Sequence, residues 1–228
     1  MHDDVSVHAL TMPVEFAGRT MAITPTAVAS DDGLVLVDVG PDGGLDRLEN
    51  ALSDAGFELS DVKRVVLTHH DADHAGGLAS LAERTDVTVA AHREEAAYVR
   101  GDEPPQKGGD DRYRTVQVDE ELAGGDEIST RTGPMRVIET PGHTPGHVSL
   151  YLPEERLLIA GDALVADGDE PLSGPKPTYT ADMDVAVESL VALGRLDVEQ
   201  TICYHGGYVP LGSERIRAIA GDLDAGSR

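Results

Sequence analysis

The chain has little cysteine and few basic residues, and both shortages exclude classes of protein. Cys203 is the single cysteine, so no disulfide can form within the chain and a disulfide-stabilised secreted scaffold is excluded. Its 18 Lys and Arg residues are outnumbered by 42 Asp and Glu residues, and lysine occurs only at Lys63, Lys107 and Lys176. The net charge of −24 predicts no binding to nucleic acid or to anionic membranes, because both are negatively charged.

Long apolar segments are also missing from the sequence. No run approaches the roughly 18 apolar residues that cross a bilayer, which excludes an integral membrane protein. The first ten residues lack a basic stretch followed by an apolar one, so no signal peptide is expected and the cytoplasm is the expected compartment. With 228 residues, 40% of them hydrophobic, the chain is long enough to bury a sizeable core.

The acidic residues are spread along the whole chain rather than gathered in a tail. This pattern resembles proteins from salt-loving organisms, in which dispersed carboxylates keep the surface hydrated; a merely acidic protein is the alternative. In molar salt the Debye length is only about 3 Å, so repulsion between carboxylates is largely screened. We therefore predict loss of the folded state or of activity in low salt.

Strand and helix patterns alternate along the chain without a linker-like boundary, which predicts one α/β domain over residues 1–228. The spacing of Leu45, Leu48 and Leu52 predicts a helix over residues 45–55. Glycine- and proline-rich segments at residues 101–111 and 167–180 are predicted to be loops. Apolar or alternating segments predict strands at residues 35–39, 64–67, 87–91, 115–118, 127–130, 135–139, 148–152, 157–160 and 200–203.

Candidate metal ligands are concentrated directly after the strand predicted at residues 64–67. Five of the six residues from position 69 to position 74 carry imidazole or carboxylate groups. Alternate residues of an extended segment face the same way, which groups His69, Asp71 and Asp73, with His74 adjacent. Imidazole and carboxylate suit Zn²⁺ and also Mn²⁺ or Fe²⁺. Such a dense cluster favours a metal site over a solvated polar turn.

Three later segments add single candidates, each after a predicted strand. The segment Thr-Pro-Gly-His-Thr-Pro-Gly-His begins at Thr140 and contains His143, Gly161 precedes Asp162, and His205 precedes a Gly-Gly pair. Ligands that are scattered in sequence but repeated at strand ends are what a site between two sheets needs.

These segments together resemble the metallo-β-lactamase-fold hydrolases, in the branch similar to glyoxalase II and lactonases, over nearly the full length of the chain. The family pattern runs Thr-His-x-His-x-Asp-His, then Gly-His-Thr-Pro-Gly-His, then Gly-Asp and His-Gly. All four motifs occur here in order, from Thr68 to Gly206. The resemblance implies a four-layer αββα sandwich and a site that holds two metals bridged by a hydroxide.

The resemblance also implies a role for each matching residue. His70 falls on a spacer position and is expected not to bind metal, and His147 and Tyr204 are expected to orient ligands. The implied ligands are His69, Asp71 and His143 for the first metal, Asp73, His74 and His205 for the second, and Asp162 for both.

Asp71 departs from the family pattern, which has histidine at this position. Two divalent cations, three carboxylates and one hydroxide sum to a neutral core, whereas histidine at position 71 would leave one positive charge. The extra carboxylate is expected to lower the Lewis acidity of the site and to favour Mn²⁺ or Fe²⁺ more than three histidines would. The resemblance implies two divalent ions, with zinc the first expectation and Mn²⁺ or Fe²⁺ as alternatives because of Asp71.

The activity implied by the resemblance is hydrolysis of a small-molecule thioester, lactone or ester. The metal-bridging hydroxide would attack the carbonyl carbon, and Asp73 would hold or shuttle its proton. Alternatives are a mononuclear iron enzyme similar to sulfur dioxygenases and a non-catalytic metal-binding protein. Cys203 lies in an apolar strand and is expected to be a core residue rather than a nucleophile.

Substrate choice is expected to depend on three loops, at residues 101–111, at residues 167–180 and around Met12, Pro13 and Val14. Lys176 and Tyr179 are candidates to bind a substrate carboxylate or oxyanion, with surface decoration as the alternative. The sequence leaves open whether the chain forms a homodimer.

Overall fold

A computed structural model of the chain describes residues 6–16, 18–107, 113–167 and 171–226. The chain divides into two compact units. The first comprises Met1–Leu122 with Ser129–Thr132, and the second comprises Ala123–Ile128 with Gly133–Arg228. The single domain expected over residues 1–228 stays a prediction.

The described part of the first unit contains eight strands and four α-helices. The strands are β1 (Val7–Ala9), β2 (Met12–Phe16), β3 (Arg19–Ile23), β4 (Thr26–Ser30), β5 (Gly33–Val37), β6 (Val62–Leu67), β7 (Thr88–His92) and β8 (Glu120–Leu122). The helices are α1 (Leu45–Asp54), α2 (Ala72–Ala75), α3 (Leu78–Arg84) and α4 (Arg93–Arg100), with a short 3-10 helix at Leu59–Asp61.

The first sheet has the strand order β1–β4–β5–β6–β7–β8, and β2 pairs with β3 as a separate antiparallel hairpin. Strands β5 to β8 are parallel neighbours, so the segments after β5 and β6 leave the sheet at the same edge. Val65, Val66 and Leu67 are all fully buried, as the aliphatic second half of β6 predicts for an interior strand. This edge of the sheet carries the first cluster of candidate ligands.

The second unit is built on another sheet, of order β14–β13–β12–β11–β10–β9. The strands of this sheet are β9 (Glu127–Thr130), β10 (Gly133–Glu139), β11 (Val148–Leu152), β12 (Leu157–Ile159), β13 (Gln200–Cys203) and β14 (Gly207–Val209), and the last two residues of β9 are counted in the first unit. The helices of the second unit are α5 (Met183–Leu193) and α6 (Ser213–Gly226). Leu190 and Leu193 of α5 join Ile216 of α6 and Leu158 of β12 in the core of this unit. Because β12 and β13 are parallel and β11 is antiparallel to β10 and β12, the segments after β10, β12 and β13 lie at one edge.

Two local predictions are wrong. No strand forms at residues 115–118, because the Val116 N–H donates to the Val99 carbonyl at the end of α4 instead of to a sheet. The stretch around Met12 is not a loop, since it forms β2 and its Met12 side chain is 2% exposed. Its Met12 and Val14 side chains are buried, whereas Pro13 between them is exposed.

Among the residues that the structure describes, no helix combines the length and apolar character needed to cross a bilayer.

Candidate metal centre

Four predicted ligands of the first unit lie in the loop after β6 and in the single turn of α2. The Nε2 atom of His69 lies 3.3 Å from an Asp71 carboxylate oxygen, and that of His74 lies 3.8 Å from an Asp73 oxygen. The two imidazole rings are buried and their centroids are 4.1 Å apart. The segment therefore gathers two neighbouring imidazole–carboxylate pairs.

Asp38 holds this segment in place from the end of the adjacent strand β5. Its carboxylate accepts hydrogen bonds from the Thr68 N–H, from the Thr68 hydroxyl and from His74 Nδ1, each at 2.8 Å. The Val39 N–H in turn donates to the His74 carbonyl at 2.8 Å. Asp38 is 1% exposed. Its hydrogen bonds connect the His74 ring and the start of the ligand loop, residues 68–74, to the edge of the sheet.

These hydrogen bonds assign the same tautomer to both histidines. His74 Nδ1 donates to Asp38, so its Nε2 atom offers a lone pair. The Thr68 hydroxyl gives its proton to Asp38 and therefore accepts from His69 Nδ1, which lies 3.1 Å away. Both Nε2 lone pairs point to the carboxylate side, as ligating histidines do when their other nitrogen is held by a partner.

His70 makes a different set of contacts. Its backbone N–H donates to Glu95 at 2.9 Å, its Nδ1 atom also bonds the Glu95 carboxylate, and its ring stacks on Tyr98 at 4.1 Å. Glu95 is fully buried on α4. Burial, together with the charges of Asp71 and Glu95, raises the pKa of Tyr113, whose hydroxyl donates to the His70 carbonyl at 2.8 Å. His70 thus anchors the ligand loop to its surroundings.

In the second unit, Asp162 lies between two imidazoles that come from different loops. The same carboxylate oxygen is 3.4 Å from His143 Nε2 and 3.5 Å from His205 Nε2. The His205 carbonyl accepts from the Ala166 N–H at 2.8 Å, and a Cβ atom at Gly206 would lie 2.2 Å from the Ala166 carbonyl carbon. Glycine at position 206 is therefore required for this close approach.

His147 fixes the backbone of Asp162 through a chain of hydrogen bonds. The Asp162 N–H donates to His147 Nε2 at 3.0 Å, so His147 Nδ1 is the donor to the Thr140 hydroxyl at 2.8 Å. The Thr140 hydroxyl then donates to Ser149 at 3.0 Å, and Ser149 donates to the Ala160 carbonyl at 3.0 Å. Both ring nitrogens of His147 take part in these hydrogen bonds, so the role of the ring is to position Asp162.

The remaining predicted site residues of the second unit have the following contacts. Lys176 Nζ donates to Asp167 at 2.5 Å, and Tyr179 is 48% exposed. Tyr204 is buried and its ring meets that of His205 edge to face at 5.2 Å. Burial and nearby carboxylates raise the pKa of the fully buried Cys203 thiol, so it stays protonated and packs as a core residue, as predicted.

The donor chemistry of both units fits divalent metal ions. In three of the contacts above, an imidazole Nε2 atom lies 3.3 to 3.5 Å from a carboxylate oxygen, close enough for one cation to contact both atoms. Nitrogen and oxygen donors without thiolate suit Zn²⁺, Mn²⁺ and Fe²⁺ alike.

A family model described as the metallo-beta-lactamase superfamily matches residues 20–205. The chain belongs to the metallo-beta-lactamase superfamily. The α/β fold predicted from the motifs, with sheets flanked by helices, is therefore confirmed, and so is the expectation of a hydrolase of this superfamily.

Relatives and solved structures of the superfamily cover this chain to different extents. The probable metallo-hydrolase YflN of Bacillus subtilis strain 168 is 27% identical over an alignment of 242 positions, gaps included, which covers 95% of this chain and 89% of that protein. A hydroxyacylglutathione hydrolase of Rhizobium meliloti strain 1021 is 36% identical over 119 residues, 52% of this chain but only 39% of that enzyme. A metallo-beta-lactamase family protein from Thermus thermophilus matches with a TM-score of 0.78 and 24% identity, over 96% of this chain and 80% of that one.

The sequence patterns gave no role at the site to three residues: Asp38, Glu95 and Lys107. Asp38 interrupts an otherwise aliphatic strand end, and a charged residue at such a place is a signal that the sequence does carry. Glu95 follows another glutamate, Glu94, at the start of α4 and gives no comparable signal. Lys107 donates to Asp71 at 2.6 Å across 36 positions of sequence, a contact that no local pattern predicts.

Proposed function

We propose that this protein is a binuclear metal-dependent hydrolase that acts on a small-molecule thioester, lactone or ester carbonyl. The observation that carries the proposal is the placement of one Asp162 oxygen between the Nε2 atoms of His143 and His205. A carboxylate flanked by two imidazoles from separate loops suits a ligand shared by two metals.

The proposed ligand assignment follows the family motifs residue by residue. His69, Asp71 and His143 would hold the first metal, Asp73, His74 and His205 the second, and Asp162 both. The tautomers that Asp38 and Thr68 impose on His74 and His69 support this assignment, because each leaves Nε2 as the donor atom.

Divalent metals supply such a site with polarisation of a carbonyl group and activation of water at neutral pH. The chain's own contribution is positioning and proton transfer. The Asp73 side chain is 44% exposed, and its carboxylate is proposed to accept the proton of the attacking water. Lys176 and Tyr179 are proposed to bind the negative charge of the substrate.

Among carbonyl substrates, thioesters have the most support. Several curated relatives are hydroxyacylglutathione hydrolases, and hydroxyacylglutathione is a thioester. The Rhizobium meliloti match spans 39% of that enzyme, so more than half of that enzyme has no counterpart in the match. The acyl-thioester linkage, rather than the glutathione part, is therefore the proposed common feature.

Further features of the proposal concern metal, location and partners. Zinc is the proposed resident metal, with Mn²⁺ or Fe²⁺ as alternatives because Asp71 adds a hard oxygen donor. We propose a cytoplasmic protein adapted to high salt that binds neither nucleic acid nor membranes, with a homodimer as one form to test. The net charge of −24 supports the lack of anionic partners.

Elemental analysis of untagged protein purified in high salt without chelators tests the metal assignment. We expect about two zinc or manganese ions per chain, together with hydrolysis of acyl thioesters that needs no oxygen. His74→Ala and Asp162→Ala should each lose metal and activity, whereas Asp46→Ala, at the exposed start of α1, should lose neither.

The other outcomes of this experiment contradict the proposal. A single iron with oxygen consumption would indicate the sulfur dioxygenase-like alternative. Full metal loading without turnover of any thioester, lactone or ester would indicate a metal-binding protein. Full activity of His74→Ala or Asp162→Ala would overturn the ligand assignment.

A further inference from the structure

The ammonium group of Lys107 contacts the one motif residue that departs from the family pattern. Lys107 Nζ donates to Asp71 Oδ2 at 2.6 Å, and the same oxygen lies 3.3 Å from His69 Nε2. The Asp71 side chain is 11% exposed and that of Lys107 is 31% exposed. A positive charge therefore lies beside the residue that replaces histidine.

The segment that carries Lys107 is attached to this loop by the preceding residue. The Gln106 N–H lies 3.5 Å from His70 Nε2, and the Gln106 side-chain amide donates to the Tyr98 hydroxyl at 3.1 Å. His70 itself is held by the buried Glu95 and stacks on Tyr98. The residue before Lys107 is thus fastened to the residue before Asp71, which makes their contact a product of the local fold.

The charge of Lys107 balances the charge that Asp71 adds at the histidine position of the motif. Neutral histidine carries no charge, whereas Asp71 brings one negative charge and Lys107 brings one positive charge. The charges of Asp71 and Lys107 therefore sum to zero. Lys107 is also one of only three lysines in the chain.

We propose that Asp71 and Lys107 form a neutral ion pair that takes the place of the motif histidine. Lys107 is the residue that positions the Asp71 carboxylate. This inference rests on the proposed metal centre. It also revises the charge sum made from the sequence, because Lys107 restores the single positive charge that a histidine would leave. The expected drop in Lewis acidity is then offset, and Lys107 orients the carboxylate as an outer partner of a ligand does.

A double-mutant cycle on metal affinity tests the proposal. Apo-protein variants Asp71→His, Lys107→Met and the double variant are titrated with Zn²⁺ against a chromogenic chelator, at one fixed high salt concentration. Asp71→His alone should weaken Zn²⁺ binding by about 10-fold or more, because the Lys107 charge is then uncompensated beside the metal. Adding Lys107→Met should return the affinity to within about threefold of wild type.

Two controls separate charge from general damage. Lys107→Arg keeps the positive charge and should bind Zn²⁺ as the wild type does. Lys63→Met removes an equal charge from the same unit, where Lys63 donates to the Ser60 carbonyl, and should rescue nothing in the Asp71→His background. Melting temperatures of the apo variants show whether each is folded before its affinity is compared.

Additive effects of the two substitutions, or wild-type affinity in Asp71→His alone, would overturn the proposal. An increase in KM for anionic substrates in Lys107→Met, with additive metal affinities, would instead make Lys107 a substrate-binding residue. In both cases the proposed hydrolase survives. Wild-type protein that takes up no divalent metal would overturn the hydrolase and the inference together.

Discussion

Asp38 combines an unusual backbone conformation with a heavily used side chain. Its φ of 60° lies in the left-handed region, which Asp and Asn adopt more readily than most residues with a side chain. Its carboxylate accepts three hydrogen bonds from Thr68 and His74. The position therefore constrains both the conformation and the chemistry of the residue that occupies it.

Substitutions at Asp38 should separate these two requirements. Asp38→Asn keeps a residue that tolerates the backbone, so the protein should fold, but the His74 donor loses its charged acceptor. We expect metal affinity to fall by about 10–100-fold, measured by chelator competition. Asp38→Ala should lose a similar affinity and in addition destabilise the fold by roughly 3 kcal/mol in chemical denaturation, because buried donors lose their acceptor.

Asp46→Asn serves as the matched control for Asp38, since it removes a carboxylate from the exposed first turn of α1. Its metal affinity and stability should stay near those of the wild type. Unchanged metal affinity in Asp38→Asn would show that the His74 tautomer does not depend on this carboxylate.

At the residue scale, the sequence identified the candidate ligands but not the residues that hold them. His69 and His74 are recognisable because they lie close together in a segment with five imidazole or carboxylate groups. Asp38 and Glu95 act across 36 and 25 positions of sequence, respectively. Such pairs depend on which strand ends become neighbours, and the local pattern around either residue does not contain that information.

At the scale of elements, the strands and helices that were predicted correctly are those with a strongly apolar sequence. Strands β5, β6 and β12, which each contain an aliphatic run, and the helix α1 were predicted closely, because burial leaves a continuous or periodic apolar pattern. The short strands β1 to β4 mix polar and small residues and were not predicted. Their pairing comes from partners such as β5, which supplies the ladder for β4.

The loop that carries His143 depends on close contact with helix α5. Gly142 has a φ of 129°, and a Cβ atom there would lie 2.5 Å from the backbone of Ala186. The Asp182 N–H also donates to the Gly142 carbonyl at 2.9 Å, just before the helix begins. Any side chain at position 142 would push this loop away from the helix.

Gly142→Ala should therefore destabilise the protein by roughly 3 kcal/mol or more, the sum of backbone strain and steric overlap. Gly125→Ala is the matched control, because Gly125 also has a positive φ, 90°, but a Cβ there meets no atom within 4 Å. The control should cost only about 1 kcal/mol. Equal losses for the two variants in chemical denaturation would mean that contact with α5 is unimportant.

At the scale of the whole molecule, the acidic charge is balanced only locally. Exposed arginines pair with carboxylates, as Arg84 does with Glu49 at 2.8 Å and Arg136 with Glu127 at 2.9 Å. Exposed pairs of this kind stabilise the fold by about 0–1 kcal/mol each. They therefore offset little of the repulsion that a net charge of −24 produces. The excess carboxylates must be screened by solvent ions.

We expect the melting temperature to rise steadily with salt between about 0.1 M and 3 M, because the Debye length falls from about 10 Å to about 3 Å or less over that range. Differential scanning calorimetry at fixed pH measures this dependence. A melting temperature that is high at 0.1 M and unchanged at 3 M would contradict adaptation to high salt and leave a merely acidic protein.

Residues Ser129–Thr132 belong to the first unit, although the chain on both sides of them belongs to the second. Arg131 joins them to strand β4 through its backbone N–H on the Ala29 carbonyl at 2.9 Å and its Nε on the Ser30 carbonyl at 3.2 Å. On the ribosome the amino end emerges first, and amino-terminal units tend to fold first. A nascent chain that has been translated only as far as Leu122 still lacks a piece of its first unit, so the synthesis of the two units overlaps in time.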